Sequence, residues 1–470
     1  MDYHQVGASF RSNFWQSNSV YYLSLVMPIA GNLALFYFLF AHSNTKALIT
    51  SADYILFTLK FFWLTGAVVA VTNIVGLVWF GNPIQANDRA VALFRKSGWP
   101  AAKLVVVFVS RGDNARALAR SIDATETLLT TLGVHHRIDV VTDFPVADII
   151  SPNGSNVTFH LVPVGYATLN QAKWKARALH YVVEQHRDDV HLIDSTHTWV
   201  LHLDEESQLT ESSVAGIAEF ITKPDNANRI GQGEIKYNAH QYGAHLLITW
   251  ADSIRSGDDL GRFRFQFALF KRPLFGMHGS YILAPLKIEQ QFGFDLGGRG
   301  SVTEDAYFAL KCAEKGIKFG WVNGYIREQS PYTLMALAKQ RRRWFSGLLM
   351  LSFDREIAFM TRLPLMCNTL LWSVAWIGPL VTIATLILGG FFPLSLLIVA
   401  GLLQGFYTST YMVGAARNLA ETDIVVPVWR QLVIYLGTLI SVQVVNAIEG
   451  FAVLYALVRP VKTFDVVNKN

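Results

Sequence analysis

At 470 residues, with 51% hydrophobic and 16% charged side chains and a mean hydropathy of +0.29, the chain is long enough for two or three domains and too apolar to be wholly soluble. A net charge of +5 and a pI near 9.0 suit an anionic substrate or a membrane face with anionic headgroups, and call for no nucleic acid. The two cysteines, Cys312 and Cys367, exclude a disulfide framework, and no CxxC or Cys/His metal spacing occurs.

In chain order, no Asp, Glu, Lys or Arg falls between Arg11 and Lys46, between Lys60 and Asp88, or between Arg362 and Arg417. A hydrocarbon core of ~30 Å needs about 20 apolar helical residues. The pattern therefore predicts membrane spans at 21–41 and 61–80, with Lys60 snorkelling at an edge. After Pro83 the composition turns polar. A buried parallel strand is expected at 104–109, a helix at 115–132, a strand at 137–142 ending before Asp143, and a third strand near 159–163. A helix over 170–184 follows, then a strand at 199–203 that ends in three carboxylates, Asp204, Glu205 and Glu206. This alternation implies a doubly wound α/β domain with a mostly parallel sheet, whose ligands sit beyond the carboxyl ends of the strands.

Residues 352–363 mix charge with large apolar groups, as in an amphipathic helix lying in the membrane interface. Further spans are expected at 366–388, 393–413 and 431–457. The last contains Glu449, and a carboxylate at such depth faces protein or a cavity rather than lipid. The chain thus divides into a membrane region of two spans (1–83), an α/β domain (84–350), and an interfacial helix with about three spans (351–470). The positive-inside rule keeps Arg459, Lys462 and Lys469 on the same, cytosolic side as Arg341–Arg343. Five straight spans conflict with that, so either one segment is re-entrant or the C-terminal tail lies outside.

The chemistry-bearing residues cluster in the central domain. Asp204 and Glu206, at i and i+2 beyond a strand, can offer hard oxygen ligands to Mg2+ or Mn2+ with a diphosphate completing the shell. Asp143 can hydrogen-bond a base or ribose, although an Asp there is usually a turn or cap. Lys175 can neutralise a phosphate, or simply be a solvated charge. In S-V-T-E-D at 301–305, Asp305 is either a first-turn charge that complements a helix dipole or a general base for a hydroxyl. In Q-R-R-R-W at 340–344, Gln340, Arg343 and Trp344 share one side of a helix. Arginine there has fork geometry for phosphate, and the indole gives a sugar ring a face to stack on.

In order, the D-E-E, T-E-D and Q-R-R-R-W elements resemble the family-2 inverting glycosyltransferases, the membrane-embedded group of cellulose and hyaluronan synthases. V-S-R-G at 109–112, V-T-D at 141–143, A-K-W-K-A-R-A-L at 172–179, H-L-D-E-E at 202–206, I-G-Q-G at 230–233, H-G-S-Y at 278–281 and T-E-D-A-Y at 303–307 resemble the egghead-type β-1,4-mannosyltransferases. The match covers about 104–345. It implies a GT-A-like mixed, mostly parallel sheet with helices on both faces. It implies Asp305 as catalytic base, and Ser110, Arg111, Asp143, Lys175, Asp204, Gln340, Arg343 and Trp344 at the donor. Asp204 and Glu206 would serve the metal, and His278, Tyr281 and Trp344 the acceptor. The implied donor is GDP-mannose and the implied acceptor a glucosyl-lipid, whose lipid the membrane spans and the interfacial helix would hold at the active-site mouth among the membrane lipids. D-E-E in place of the usual D-x-D leaves open whether Glu205 or Glu206 faces the metal. The wider family also includes processive β-glycan synthases using UDP- or GDP-sugars, and Q-x-x-R-W alone does not separate one transfer from many. A transporter with a cytosolic binding domain is the reading from another class. It leaves the ordered carboxylates without a task, and no paired internal repeat supports it.

Overall fold

A computed structural model describes residues 14–40, 50–146, 156–192, 197–389, 391 and 393–461. Arg11, Lys462 and Lys469 therefore lie outside the described residues. The chain begins with helices α1 (Asn18–Phe40) and α2 (Ser51–Leu59), a 3-10 turn (Lys60–Leu64), α3 (Ala67–Phe80) and α4 (Ile84–Ser97). The α/β part follows as β1 (Lys103–Ser110), α5 (Ala115–Thr131), β2 (His136–Thr142), β3 (Val157–Leu161), α6 (Trp174–Asp188), β4 (Thr198–Asp204), α7 (Glu211–Thr222) and β5 (Arg229–Lys236). It continues through α8 (Leu246–Asp258), two π-helical turns (Asp259–Phe263 and Gln266–Phe270), β6 (Ile282–Pro285), α9 (Leu286–Phe292), α10 (Glu304–Glu314), β7 (Lys318–Arg327) and α11 (Leu334–Ser352). Helices α12 (Phe359–Val374), α13 (Ile377–Leu388), α14 (Leu394–Ala420) and α15 (Val428–Val458) complete the chain.

The seven strands form one sheet in the order β3-β2-β1-β4-β6-β5-β7. All neighbours run parallel except β6, which is antiparallel to both β4 and β5. β1 shows why the centre is parallel and doubly covered. Leu104, Val106 and Phe108 enter one core with Leu118 and Ile122 of α5. Val105, Val107 and Val109 enter the opposite core with Leu179, Val182 and Val183 of α6. A strand buried on both faces needs an unbroken run of β-branched and aromatic residues, and this segment supplies one.

Among the described residues, five helical segments are long and apolar enough to cross a membrane: Asn18–Phe40, Ser51–Phe80, Phe359–Leu388, Leu394–Ala420 and Val428–Val458. Three details of the sequence reading need correction. Helix α6 starts at Trp174 rather than 170, because Gln171 and Trp174 take positive φ (59° and 50°) and turn the chain first. Lys60 does not snorkel; it is fully buried and its ammonium donates to the Phe391 carbonyl at 2.9 Å. Residues 352–363 are not one helix. The chain breaks after Ser352, Asp354 accepts the Glu356 amide at 2.9 Å, and α12 begins at Phe359.

Helix α1 packs along α14: Ser409 of α14 donates to Leu25 O, and Tyr21 donates to the last turn of α3 at Leu77 O. Helix α15 meets the α/β part at points spaced along its length, and packs on α14 and on Trp372 and Trp376 as well. Arg430 donates to Ala244 O, Trp250 of α8 donates to Ile434 O, Leu337 of α11 packs on Val442 and Val445, and Arg342 of α11 donates to Arg459 O just past the last turn.

Candidate active site

Strand register sets the first wall of the site. β1 pairs with β2 so that Ser110 lies opposite Thr142, and with β4 so that Val109 lies opposite Asp204. Ser110, Asp143 and Asp204 therefore emerge at the carboxyl ends of three adjacent parallel strands, where open α/β sheets receive their ligands. A cavity of about 960 Å3 opens there. Its wall includes Ser110, Arg111, Asp143, Lys175, Asp204, Glu205, Glu206, His278, Asp305, Gln340, Arg343 and Trp344, residues that span half the sequence.

Lys175 is the hub. Its ammonium lies 2.5 Å from Asp204 Oδ1 and 3.3 Å from Glu304 Oε1, and donates to Gly279 O at 3.1 Å. Burial works against its charge, but Asp204 and Glu304 outweigh it and hold the amine protonated above its ordinary range. Gly279 also lies close to the candidate base: a Cβ there would sit 3.0 Å from Lys175 Nζ and 3.1 Å from Asp305 Oδ2. Lysine and the candidate base thus flank one glycine, on the H-G-S-Y loop.

Asp305 stands in the first turn of α10 and its Oδ1 accepts the Ala306 amide at 2.7 Å. Burial, then the neighbouring Glu304 carboxylate, push its carboxyl up to about 7, with Lys175 opposing. Glycines bring α11 against this segment. A Cβ on Gly347 would come within 2.4 Å of Thr303 Cγ2.

The three arginines of α11 diverge, as side chains about 100° apart on a helix must. Arg341 is buried between Asp252 (2.8 Å) and Glu449 (2.7 Å), so the carboxylate of the last apolar helix does face protein. Arg342 reaches the end of α15 and lies over the Tyr455 ring at 4.2 Å. Arg343 faces the cavity. The Trp344 ring carries two guanidiniums, Arg255 at 4.3 Å and Arg341 at 4.6 Å from its centroid.

The D-E-E loop divides its labour. Glu205 accepts from the Ser110 hydroxyl and the Asn114 amide, which ties it to the β1–α5 turn. Asp204, paired with Lys175, and Glu206 stand beside it on the cavity wall. Among the described residues no three His, Cys, Asp or Glu side chains gather as a ready ligand set. Two hard carboxylates that leave the other positions to substrate phosphate fit Mg2+ or Mn2+. Asp143 is ion-paired with Arg177, and Arg111 lies 5.6 Å from the Phe144 ring at the rim.

His278 lines the cavity and pairs with Asp259 at 2.7 Å. Burial disfavours its charge, yet Asp259 raises it above the usual imidazole range. Tyr281 corrects the acceptor assignment. It is fully buried in the core under the sheet, donates to Asn323 O at 2.9 Å, and packs where a Cβ on Gly233 would be 2.0 Å from its ring. With no surface on the cavity it is a packing residue. Sequence reasoning missed Glu304, Arg255 and Glu328, which also line the cavity. Burial and then Asp204 push Glu328 up to about 7, and it accepts from Ser207 at 2.8 Å. Glu304 could have been found from its place in T-E-D, whereas Arg255 and Glu328 carry no local signal.

Comparison with known proteins bears on the same residues. The profile of Glycosyl transferase family group 2 matches residues 199–409, from β4 into α14. Beta-1,4-mannosyltransferase egh of Drosophila melanogaster is 32% identical over 430 residues, covering 89% of this chain and 88% of that one. The chain belongs to the family of the egghead and bre-3 β-1,4-mannosyltransferases. It is accordingly a glycosyltransferase. Beta-1,4-mannosyltransferase bre-3 of Caenorhabditis briggsae is 31% identical over 430 residues, 88% of each chain. Among solved structures, the mannosyltransferase PcManGT from Pyrobaculum calidifontis, in complex with GDP-Man and Mn2+, aligns with 15% identity and a TM-score of 0.40, over 76% of this chain and 99% of that one.

Proposed function

We propose that this chain is a multi-pass membrane β-1,4-mannosyltransferase that moves mannose from GDP-mannose to a glucosyl-lipid acceptor, with inversion. One observation carries the reading: a single cavity joins Lys175, Asp204, Asp305 and Arg343 at the sheet edge to residues of the apolar helices. Its family supplies the sugar, since its relatives are named β-1,4-mannosyltransferases.

In this reading Ser110, Arg111 and Asp143 receive the nucleoside, and Lys175, Gln340, Arg343 and Trp344 receive the diphosphate-sugar. Asp305 takes the proton of the acceptor hydroxyl as its oxygen bonds to the anomeric carbon. The bond from that carbon to the diphosphate breaks on the opposite face, and GDP leaves with the electron pair. An α-linked donor thus gives a β-glycoside. Mg2+ or Mn2+, held by Asp204 and Glu206, would offset the charge gathering on the departing diphosphate. Arg343 supplies fixed positive charge at the same group. His278, whose charged form is favoured by Asp259, is assigned to the acceptor side of Asp305 in this scheme.

The working division is a membrane region (1–83), the catalytic domain (84–350) facing the cytosol, and a C-terminal membrane region (351–470). The contacts of α15 favour four crossings rather than five. A helix of 31 residues is about 46 Å long, and this one touches α8 and α11 from end to end. Lying along the domain, it returns Arg459 to the side of Arg341–Arg343, as the positive-inside rule asks.

The test is a screen of GDP- and UDP-sugars with purified enzyme and a glucosyl-lipid, reading release of nucleoside diphosphate. GDP-mannose should be preferred and the product should carry one added mannose. A ladder of longer oligomers from one donor would replace this reading with a processive β-glycan synthase.

A further inference from the structure

The cavity does not end at Trp344. It continues as a limb between α1, the 3-10 turn, α3, α12, α13 and α14, walled by Phe36, Phe40, Trp63, Leu371, Trp372 and Leu403. Phe36 and Phe40 pack on Trp63 with ring centroids 5.8 Å and 5.7 Å away, at the end of α1 far from the sheet. Most polar groups on the same wall are engaged by the bundle itself. Asn32 donates to Pro28 O at 2.8 Å and to Thr408 of α14 at 3.4 Å, Thr382 donates to Gly378 O at 3.0 Å while accepting from Trp63 at 2.9 Å, and Gln404 also lines the wall. What faces the limb is therefore mainly apolar. An apolar cavity gives its lining too few contacts and takes up hydrocarbon in preference to water.

We infer that this limb is a hydrocarbon-chain subsite, which seats one acyl or alkyl chain of the acceptor within the helical bundle while the sugar projects toward Asp305. The inference rests on the acceptor class proposed above. It adds that the chain is recognised inside the protein, between α1 and α12–α14, rather than left in the surrounding lipid. The limb opens directly into the volume that holds Asp305 and Lys175, so a chain and its headgroup occupy one continuous space.

Two glycines make the test. Gly66 lines the limb with an ordinary φ of −78°, and a Cβ there would meet no atom within 4 Å. Gly66→Phe therefore fills the limb without straining the backbone. Gly31 of α1 is exposed, also has open space at its Cβ, and is not on the cavity wall. Gly31→Phe is the control for adding bulk to a helix of the bundle. With GDP-mannose as donor, kcat/KM is measured for dodecyl and butyl β-glucoside. Gly66→Phe should lose more than about tenfold on the dodecyl acceptor, given ~0.8 kcal/mol per buried methylene, and keep the butyl rate, while Gly31→Phe keeps both. Unchanged dodecyl preference in Gly66→Phe, or equal losses on both acceptors, overturns the subsite. A second readout is independent of transfer. A β-glucoside with a photoreactive alkyl terminus should label Phe36, Leu371 or Leu403 in the wild type and not in Gly66→Phe. Labelling confined to outward-facing residues refutes the inference even if mannosyl transfer proceeds. Labelling of the limb by an enzyme that transfers no mannose would keep the subsite and overturn the proposed reaction instead.

Discussion

At the scale of single residues, Asp305 is the decisive group. The proposed base acts as a carboxylate, and burial beside Glu304 pushes its carboxyl up to about 7. The sign is therefore set: below that value the protonated form dominates, and kcat should fall about tenfold per pH unit, with a plateau above it. Asp305→Asn should cut transfer by at least ~10²–10⁴-fold while GDP binding, measured by calorimetry, stays near the wild-type value. Near-normal turnover in that variant would remove the assignment. Lys175 is expected to behave differently. Lys175→Met leaves Asp204 and Glu304 without their shared cation, so donor affinity should drop together with kcat, and the pH midpoint of Asp305 should rise because an opposing positive charge is gone.

At the scale of elements, the packing of α11 against the T-E-D segment matters more than any one contact. Gly347 is the point of closest approach, with room for no Cβ beside Thr303. Gly347→Val should separate α11 from the start of α10, costing roughly 1–3 kcal/mol as other overpacked cores do. Thermal unfolding in detergent reports the stability, and the transfer rate should fall by more than that loss of folded protein explains. Arg341 fixes the same helix from the other side, buried between Asp252 and Glu449. Removing one partner of a buried ion pair costs on the order of 3–5 kcal/mol, so Arg341→Met should lower the melting temperature markedly. Arg95→Met, which breaks an exposed pair with Glu211, should barely move it.

At the scale of the whole molecule, the candidate cleft and the apolar helices share one interior. Activity should be lost on chelation and return with Mg2+ or Mn2+, accompanied by a matching loss and recovery of GDP affinity. Chelator-resistant transfer would argue against Asp204 and Glu206 as ligands. The course of α15 carries a separate expectation. A tag placed after Arg459 in sealed vesicles should be digested by protease from the same side as the catalytic domain. Protection of that tag would restore a fifth crossing.

Much of this was legible in the residues because it rests on short-range chemistry. An unbroken β-branched run such as 104–109 has few places to go but a doubly covered strand, and charge-free tracts of helical length read directly as apolar helices. The carboxylates after β4 and the arginines of α11 announced themselves by type and spacing. Other features were settled only by contacts between distant segments. Tyr281 sits in a promising motif, but the sheet turns it inward against Gly233 and Asn323. Arg255 and Glu328 reach the cavity through the crossing of α8, α11 and β7, which no local pattern encodes. Composition makes α15 look like a span, and only the folded chain reveals that Arg430 near its start and Arg459 just past its end also meet Ala244 and Arg342. Periodicity and hydrophobicity are properties of a segment, whereas the direction a side chain faces and the surface a helix leans on depend on what the rest of the chain brings beside it.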